Sequence, residues 1–271
     1  MRHRFAQGTK LERITMYLFS KLFASCAVML VFGVTTVGWN LYELSQLVAN
    51  KGVLLLFFPY AIGFSMLADW LVSRAAYGRS LLLIMIYIAG GYLPFIVISI
   101  WKGSFFFSII YVFFAGTIGM LCSVAHLGMS NWVLRLRLYS IAAAICVSAL
   151  TIVLILGDFT VKKGMEDSFS DASYQVSFEY LHGEHKVPID LQKGTILHYE
   201  IFWDEVNNGG YGHYMLDPKG KKASRMTSPN SEVLSLAVLE SGRYYFVFSG
   251  DRFAGKIRAE WRVETESQQL W

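Results

Sequence analysis

Charged side chains are scarce in this sequence of 271 residues, at 16%, whereas 54% of its residues are hydrophobic. Soluble domains usually carry about 25% charged residues. Prolines are also few, with 5 in the whole chain, and 15% of the residues are aromatic. This composition excludes a disordered polar chain, a collagen and a disulfide-stabilised scaffold, and it argues against an ordinary soluble enzyme.

Cysteines are equally rare. The sequence has three, Cys26, Cys122 and Cys146, and none of them lies after residue 157. No two of them have the C-x-x-C spacing that is typical of redox or zinc sites. We therefore expect the second half of the chain to fold without a structural disulfide.

Motifs that carry known catalytic chemistry are missing as well. The sequence contains no G-x-S-x-G motif, Walker motif or paired-carboxylate pattern. The glycine-rich segment 207–212 opens no helix, so we interpret it as a connection between strands and not as a phosphate-binding loop. The sequence therefore predicts a protein that is not an enzyme and that needs no cofactor.

Charge is divided unevenly along the chain. Residues 1–157 carry 11 Lys/Arg against 3 Asp/Glu, whereas residues 158–271 carry 13 Lys/Arg against 17 Asp/Glu. The basic half is also the apolar half, which favours membrane topology as the reason for its charge. No basic stripe with interleaved aromatics occurs in the acidic half, so we expect no nucleic-acid binding.

Five apolar stretches reach the length of about 20 residues that a membrane-spanning helix needs. Tryptophan and tyrosine flank them, as is typical of residues at the two membrane interfaces. The pattern predicts a five-helix membrane bundle over residues 1–157, with the lipid bilayer as its surroundings. The stretches are 16–38, 52–73, 80–101, 104–128 and 138–157.

Lysines and arginines indicate how this bundle is oriented, because cytoplasmic loops of membrane proteins are enriched in them. Nine of the 11 in residues 1–157 fall on one side, and only Lys51 and Lys102 fall on the other. Lys162 and Lys163 are a weak contrary signal. The asymmetry predicts a multi-pass protein of the cell membrane with a cytoplasmic N-terminus and with residues 158–271 outside. The nine cations are Arg2, Arg4, Lys10, Arg13, Lys21, Arg74, Arg79, Arg135 and Arg137.

Three ionisable residues, Lys21, Asp69 and His126, fall within or at the edge of the spans at similar depths. Charges in a membrane are costly unless they are paired. We expect Asp69 to pair with Lys21, and His126 is a second candidate partner. The alternative is a proton or ion relay, and a kink expected at Gly90-Gly91 and Pro94 would suit a transport path.

The second half shows the two-residue alternation of β-strands, separated by turn residues. Segment 158–172 is polar and lacks periodicity, so it is predicted as a linker. Residues 173–271 are predicted to form an extracellular all-β sandwich with a short C-terminal tail. The predicted strands are 174–180, 195–203, 211–216, 232–239, 243–249 and 256–264.

Two segments of this half carry a family resemblance. Residues 215–221 are MLDPKGK and residues 240–248 are ESGRYYFVF, with an alternating strand between them. The combination resembles the GOLD-type β-sandwich, in which a D-P-x-G turn precedes a strand and then G-x-Y-x-F. The similarity covers residues 185–264. It implies a binding module without catalysis.

Candidate ligand residues in the second half are aromatics that fall outside the inward-facing pattern, namely Phe202, Tyr245 and Phe253. A metal is the other candidate, because His182 and His185 lie three residues apart and imidazole is a common metal ligand. Gly183 and Pro188 favour a solvated loop there instead.

The sequence as a whole favours a membrane protein whose outer β-sandwich binds an envelope component or a partner protein. A homo-oligomer is a further candidate assembly. The main alternative is a small transporter or an accessory subunit that uses the kinked third span and Asp69. A membrane-embedded enzyme ranks third, since Lys21, Asp69 and His126 are the only cluster of ionisable groups in the spans.

Overall fold

A computed structural model divides the chain into two compact units, Met1–Gly157 and Asp158–Trp271. It describes residues 9–75, 78–102, 105–136, 139–223 and 233–265. Arg2, Arg4 and Arg137, three of the cations used to predict the orientation, lie outside these residues. So do Glu232, at the start of one predicted strand, and the predicted C-terminal tail after residue 265.

The first unit is helical, and within its described residues five helical stretches are long and apolar enough to cross a membrane. These are Leu11–Val37, Lys51–Ser73, Arg79–Trp101, Ile109–Leu134 and Tyr139–Leu156. The five predicted spans are therefore present as helices, and α2 is an additional short helix that the sequence did not predict. The helices are α1 Lys10–Val37, α2 Leu41–Ala49, α3 Lys51–Leu55, α4 Ala61–Ser73, α5 Arg79–Lys102, α6 Phe105–Leu134 and α7 Tyr139–Leu156.

Short polar residues set the starts of the first three helices. Thr9 and Glu12 form a capping box at α1: Glu12 N donates to Thr9 Oγ1 at 3.2 Å, and Thr9 N donates to Glu12 Oε2 at 2.8 Å. Asn40 caps α2, and Asn50 ends α2 and caps α3. The chain therefore enters the second span directly after α2.

Prolines shape the second and third spans. A π-helical turn, Leu56–Tyr60, joins α3 to α4 and contains Pro59. Pro94 lies within α5 and has no N–H, so the carbonyl of Gly90, four residues earlier, lacks its helical donor. The hydroxyl of Tyr60 donates to that carbonyl at 2.5 Å. The Tyr60 hydroxyl thus supplies the donor that Pro94 lacks, and this hydrogen bond joins the two irregular spans.

Large apolar side chains cover the outside of these helices, as expected where lipid is the solvent. Small residues occupy the contacts between helices instead. A Cβ on Gly91 of α5 would meet the backbone of α6 at Met120, so the two helices approach closely there. Ala144 of α7 is fully buried beside Phe23 and Val133.

The described residues of the second unit form one antiparallel sheet of seven strands. The strand order is β1-β3-β7-β4-β6, with β2 also paired to β3 and β5 also paired to β7. The strands are β1 Val161–Lys163, β2 Glu166–Ser170, β3 Ser173–Leu191, β4 Thr195–Glu205, β5 Gly210–Leu216, β6 Leu234–Ala237 and β7 Gly242–Thr265.

Two long strands, β3 and β7, run through the whole sheet and pair with each other along it. Their register shifts between Phe178 and Gly183, which divides the sheet into two limbs. One limb has β4 on the far side of β7 and the other has β5 there. Rings from the two limbs meet in one core, for example Phe246 and Trp261, whose centroids are 5.6 Å apart.

Three sequence predictions for this unit are wrong. The predicted linker 158–172 contains β1 and β2, which are edge strands with exposed residues and therefore show no apolar alternation. The predicted loop at His182 lies within β3. Predicted strands 243–249 and 256–264 are one strand, because residues 250–255 bend and do not turn back; Arg252 and Gly255 there have φ of 57° and 150°.

Candidate functional site

A buried ion pair lies in the first unit between α1 and α4. Lys21 Nζ is 2.8 Å from Asp69 Oδ2, as the sequence predicted, and the Lys21 side chain is 3% exposed. Tyr17, one helical turn before Lys21, donates its hydroxyl to the same oxygen at 2.7 Å. Asp69 is 29% exposed. The carboxylate therefore has one charged and one neutral donor, and it keeps some access to the exterior of the unit.

His126 does not join this ion pair directly. Its Nε2 lies 3.2 Å from Ser25 Oγ, and Ser25 is one turn beyond Lys21 on α1. The imidazole also stacks on the ring of Tyr87 at a centroid distance of 6.4 Å. Tyr87 in turn shares a hydrogen bond of 2.5 Å with Ser65, one turn before Asp69 on α4. Two polar layers thus follow each other along the helices. The first contains Lys21 and Asp69, and the second contains Ser25, Ser65, Tyr87 and His126.

Next to the second polar layer is an apolar pocket of about 240 Å³. Residues from α1, the α3–α4 region, α5 and α6 line it, including Gly90, Pro94, Ala115 and His126. The π-helical turn contributes Leu56, Phe57 and Tyr60. The irregular backbone of both proline-containing spans therefore borders this pocket.

The three aromatics that were predicted as ligand residues do not share a surface. Phe202 is 41% exposed and lies beneath the guanidinium of Arg258, 4.7 Å from its ring centroid. Tyr245 is half-buried and pairs with Pro188 and Leu216 on the neighbouring strands. The prediction that Phe253 is exposed is wrong, since this side chain is fully buried in the core at the bend of β7.

Phe253 instead supports a group at the surface, which we call the aromatic end: Trp203, Val206 and Tyr211. Trp203 is partly buried against the core, whereas the other two are exposed. The Trp203 and Tyr211 rings stack with centroids 4.6 Å apart, and Phe253 contacts both rings edge-on. Val206 is 80% exposed and Tyr211 48%. The sequence placed Trp203 in the inward-facing row of β4 and Tyr211 at the start of a strand, so it missed this group.

The loop between β4 and β5, which separates Trp203 from Tyr211, is fixed to the bend of β7. Asn207 Nδ2 donates to Arg252 O at 2.6 Å, and Asn207 Oδ1 accepts from Ala254 N at 3.0 Å. Val206 N donates to Ala254 O at 2.8 Å. Arg252 has a φ of 57°, a conformation that is strained for a residue with a Cβ. The glycine-rich segment 207–212, interpreted as a strand connection, is the signal that could have drawn attention to this loop.

The two histidines that were candidates for a metal have separate surroundings. His182 Nδ1 lies 3.2 Å from Asp251 Oδ1. His185 has both ring nitrogens occupied, with Nδ1 3.1 Å from Lys162 Nζ and Nε2 2.7 Å from the Tyr174 hydroxyl. Within the described part of the chain, no group of three metal-binding side chains contains both histidines. We therefore do not propose that His182 and His185 bind a metal.

His185 instead belongs to a hydrogen-bonded chain that begins at a cation and ends at a carboxylate. An ammonium group has only protons to offer, so Lys162 donates to His185 Nδ1, and Nε2–H donates to the Tyr174 hydroxyl. Tyr174 then donates to Asp167 Oδ2 at 3.1 Å. Burial, followed by the charge of Lys162, lowers the pKa of His185 to about 4. Burial and then Asp167 raise the pKa of Tyr174. These hydrogen bonds hold β1 and β2 against β3.

No protein-family model and no curated protein matches this sequence.

Proposed function

We propose that this chain is a multi-pass protein of the cell membrane that displays its second unit outside the cell to bind a partner protein or an envelope component. In this proposal the N-terminus is cytoplasmic and the helical bundle is the anchor. The observation that carries it is the aromatic end, where the exposed side chains of Val206 and Tyr211 flank a loop that is fixed by hydrogen bonds.

Such a group has the properties of a protein-binding surface. Tryptophan, tyrosine and arginine dominate the residues that contribute most to protein–protein affinity. A loop that is already rigid loses little conformational freedom on binding, which leaves more of the contact energy for affinity. Trp203 and Tyr211 are stacked, and Arg252 is exposed beside them. The strain at Arg252 is the kind of feature that is retained at binding sites.

The architecture of the second unit supports the same proposal. We propose that its two limbs pack face to face as a β-sandwich of the GOLD type, because rings of both limbs share one core. The turn that this resemblance requires is present: Asp217 Oδ1 accepts from Lys219 N at 2.9 Å and from Lys221 N at 2.7 Å. The resemblance implies binding and not catalysis.

Transport is the alternative function, and the lining of the bundle pocket argues against it. Its side chains are apolar toward Val28, Phe32 and Phe95. Most of its polar side chains stand toward His126, and the hydroxyl of Tyr60 is already bonded to the Gly90 carbonyl. A hydrophilic substrate would lack hydrogen-bond partners over the rest of that path, which is costly in a membrane. We therefore favour an anchoring role.

The proposal can be tested by photo-crosslinking in intact cells. A photoreactive amino acid at Asn208, which is exposed in the loop, is expected to form a defined adduct with one partner. The double variant Val206→Ser with Tyr211→Ser should lose that adduct. Leu239→Ser is the matched control, because Leu239 is 75% exposed elsewhere in the same unit. An adduct that survives the double variant would contradict binding at the aromatic end.

A further inference from the structure

The pocket in the bundle is too large to be a packing defect. Its volume is about 240 Å³, whereas an engineered apolar cavity of about 150 Å³ already binds benzene or xenon. Well-packed interiors contain few voids larger than a water molecule. An empty pocket of this size would deprive its lining of dispersion contacts, so an occupant is favoured.

The surface that the pocket offers to an occupant is mainly apolar. Five lining side chains carry polar atoms. Three of them bond to the protein itself: Tyr60 to the Gly90 carbonyl, Tyr87 to Ser65 and His126, through Nε2, to Ser25. What remains for an occupant is mainly ring faces, aliphatic side chains and the backbone of Gly90 and Gly91, and the other two polar side chains are Cys122 and Ser123. A ligand that needs hydrogen bonds is therefore disfavoured, and a hydrocarbon fits.

The pocket is also long in one direction. Its lining on α6 extends from Ala115 to His126, a distance of about 16 Å at the helical rise of about 1.5 Å per residue. The lining on the second span extends over a similar length, from Val53 to Phe64. This length is close to half of the bilayer's hydrocarbon core of about 30 Å. One leaflet's acyl chain has the same reach.

Lipid chains also have access to this place. Ile118 lines the pocket and is 48% exposed, and Leu121, one turn further on α6, is 61% exposed on the outer surface of the bundle. The pocket is therefore continuous with the lipid-facing surface. From the lining, the length and this continuity we propose that the pocket binds one acyl chain of a membrane lipid, inserted parallel to the helices with its methyl end toward Tyr87 and His126.

This proposal is tested with full-length protein in nanodiscs that contain phosphatidylcholine with a diazirine at the end of one acyl chain. Photolysis and peptide mapping should concentrate the adducts near Phe64, Tyr87 and Cys122. Filling the pocket from two different helices, with Ala61→Leu or Ala115→Leu, should reduce these adducts roughly tenfold, the factor that corresponds to about 1.4 kcal/mol.

Ala142→Leu is the matched control, because Ala142 is exposed on α7 and does not line the pocket; its adducts should equal those of the wild type. Thermal melting shows whether each filled variant is folded. If one of them fails to fold, the adducts of the other test the proposal. Adducts spread evenly over the lipid-facing helices would overturn the proposal. So would pocket adducts that persist in a folded filled variant.

Discussion

At the residue scale, Asp69 Oδ2 is the point where two spans are joined by charge. It accepts from Lys21 Nζ and from the Tyr17 hydroxyl, both on α1. Removing one partner of a buried pair leaves the other with an uncompensated charge, which is worse than removing both. The main effect of the pair is therefore to fix the position of α1 relative to α4, and its net contribution to stability is smaller.

We expect Asp69→Asn and Lys21→Met each to lower the free energy of unfolding by about 1–3 kcal/mol. The double variant should recover part of that loss. The coupling energy should be about 0.5–2 kcal/mol, since Asp69 is partly exposed. Thermal melting in detergent measures all three variants. Strictly additive losses would show that the pair contributes no interaction of its own.

His185 gives the second unit a dependence on pH. Its pKa is about 4 when folded, against an ordinary value of 6.5. Between these values the unfolded chain binds the proton that the folded chain refuses, so stability should fall as the pH is lowered from about 6.5 to about 4. The loss should be of the order of 1–2 kcal/mol, and denaturant titrations at several pH values would measure it.

The matched variant for this titration is His185→Gln, which keeps a donor and an acceptor but cannot be protonated. It should be less stable than the wild type at pH 7 and should lose less stability on acidification. Carboxylates titrate in the same range, so the difference between the two proteins isolates the imidazole. Parallel pH profiles would contradict this role of His185.

At the element scale, the contact between α5 and α6 depends on the absence of a side chain at Gly91. A Cβ there would meet the backbone of α6, which cannot move aside as a flexible side chain can. We expect Gly91→Ala to destabilise the bundle by about 1–3 kcal/mol. Gly63→Ala on α4 is the control, since a Cβ there meets no atom within 4 Å. Equal melting temperatures for the two variants would contradict the close approach.

The sequence predicted those elements whose side chains follow one regular pattern of hydrophobicity along their whole length. Continuous apolar runs gave the five spans, and alternation gave β4 and β5 to within two residues. β1 and β2 were missed because main-chain bonds and a few side chains hold them, without a buried face. The union of two strands into β7 was missed because its bend contains the glycines and polar residues of an ordinary turn.

The sites follow the same division. The pairing of Lys21 with Asp69 was predictable, because charges at one depth in a membrane have few other partners. The pocket was not, because residues from elements far apart in the sequence line it. The aromatic end was not either, because the ring that supports Trp203 and Tyr211 is Phe253, on a strand much later in the chain. Phe253 shows the limit clearly: its place outside the alternating pattern reflects the bend of β7, which turns its ring into the core.

At the scale of the whole molecule, the second unit should fold without the first. It has its own core and contains no cysteine. Fragment 158–271 should melt cooperatively, and reductant should not change its melting temperature. Fragment 173–271 should be less stable, since it loses the contact of Phe169 with Trp261 and both ends of the His185 chain.

Within fragment 158–271, Trp261→Ala should cost about 3–5 kcal/mol, because Trp261 is a large side chain in the core. Circular dichroism and thermal melting would measure both comparisons. If fragment 158–271 stays unfolded in native buffer, the second unit depends on the helical bundle.

The orientation in the membrane is a separate prediction for the whole chain. The native cysteines are replaced, and single cysteines are introduced at Gln7 or Asn208. In intact cells an impermeant thiol reagent should label Asn208→Cys, and it should reach Gln7→Cys only after permeabilisation. The reverse labelling pattern would invert the topology and with it the proposed site of binding.

The central place of β7 has a consequence for synthesis. β7 is the partner of β3, β4 and β5, yet it follows all of them in the chain. About 90 residues separate the start of β3 from the end of β7, which ribosomes translate in roughly 5–20 s. Until then β3 can pair only with β1 and β2 and β4 only with β6, and the core that β7 completes stays open. The emerging chain is therefore most prone to aggregate during these seconds, after the spans have been made and before its last strand is complete.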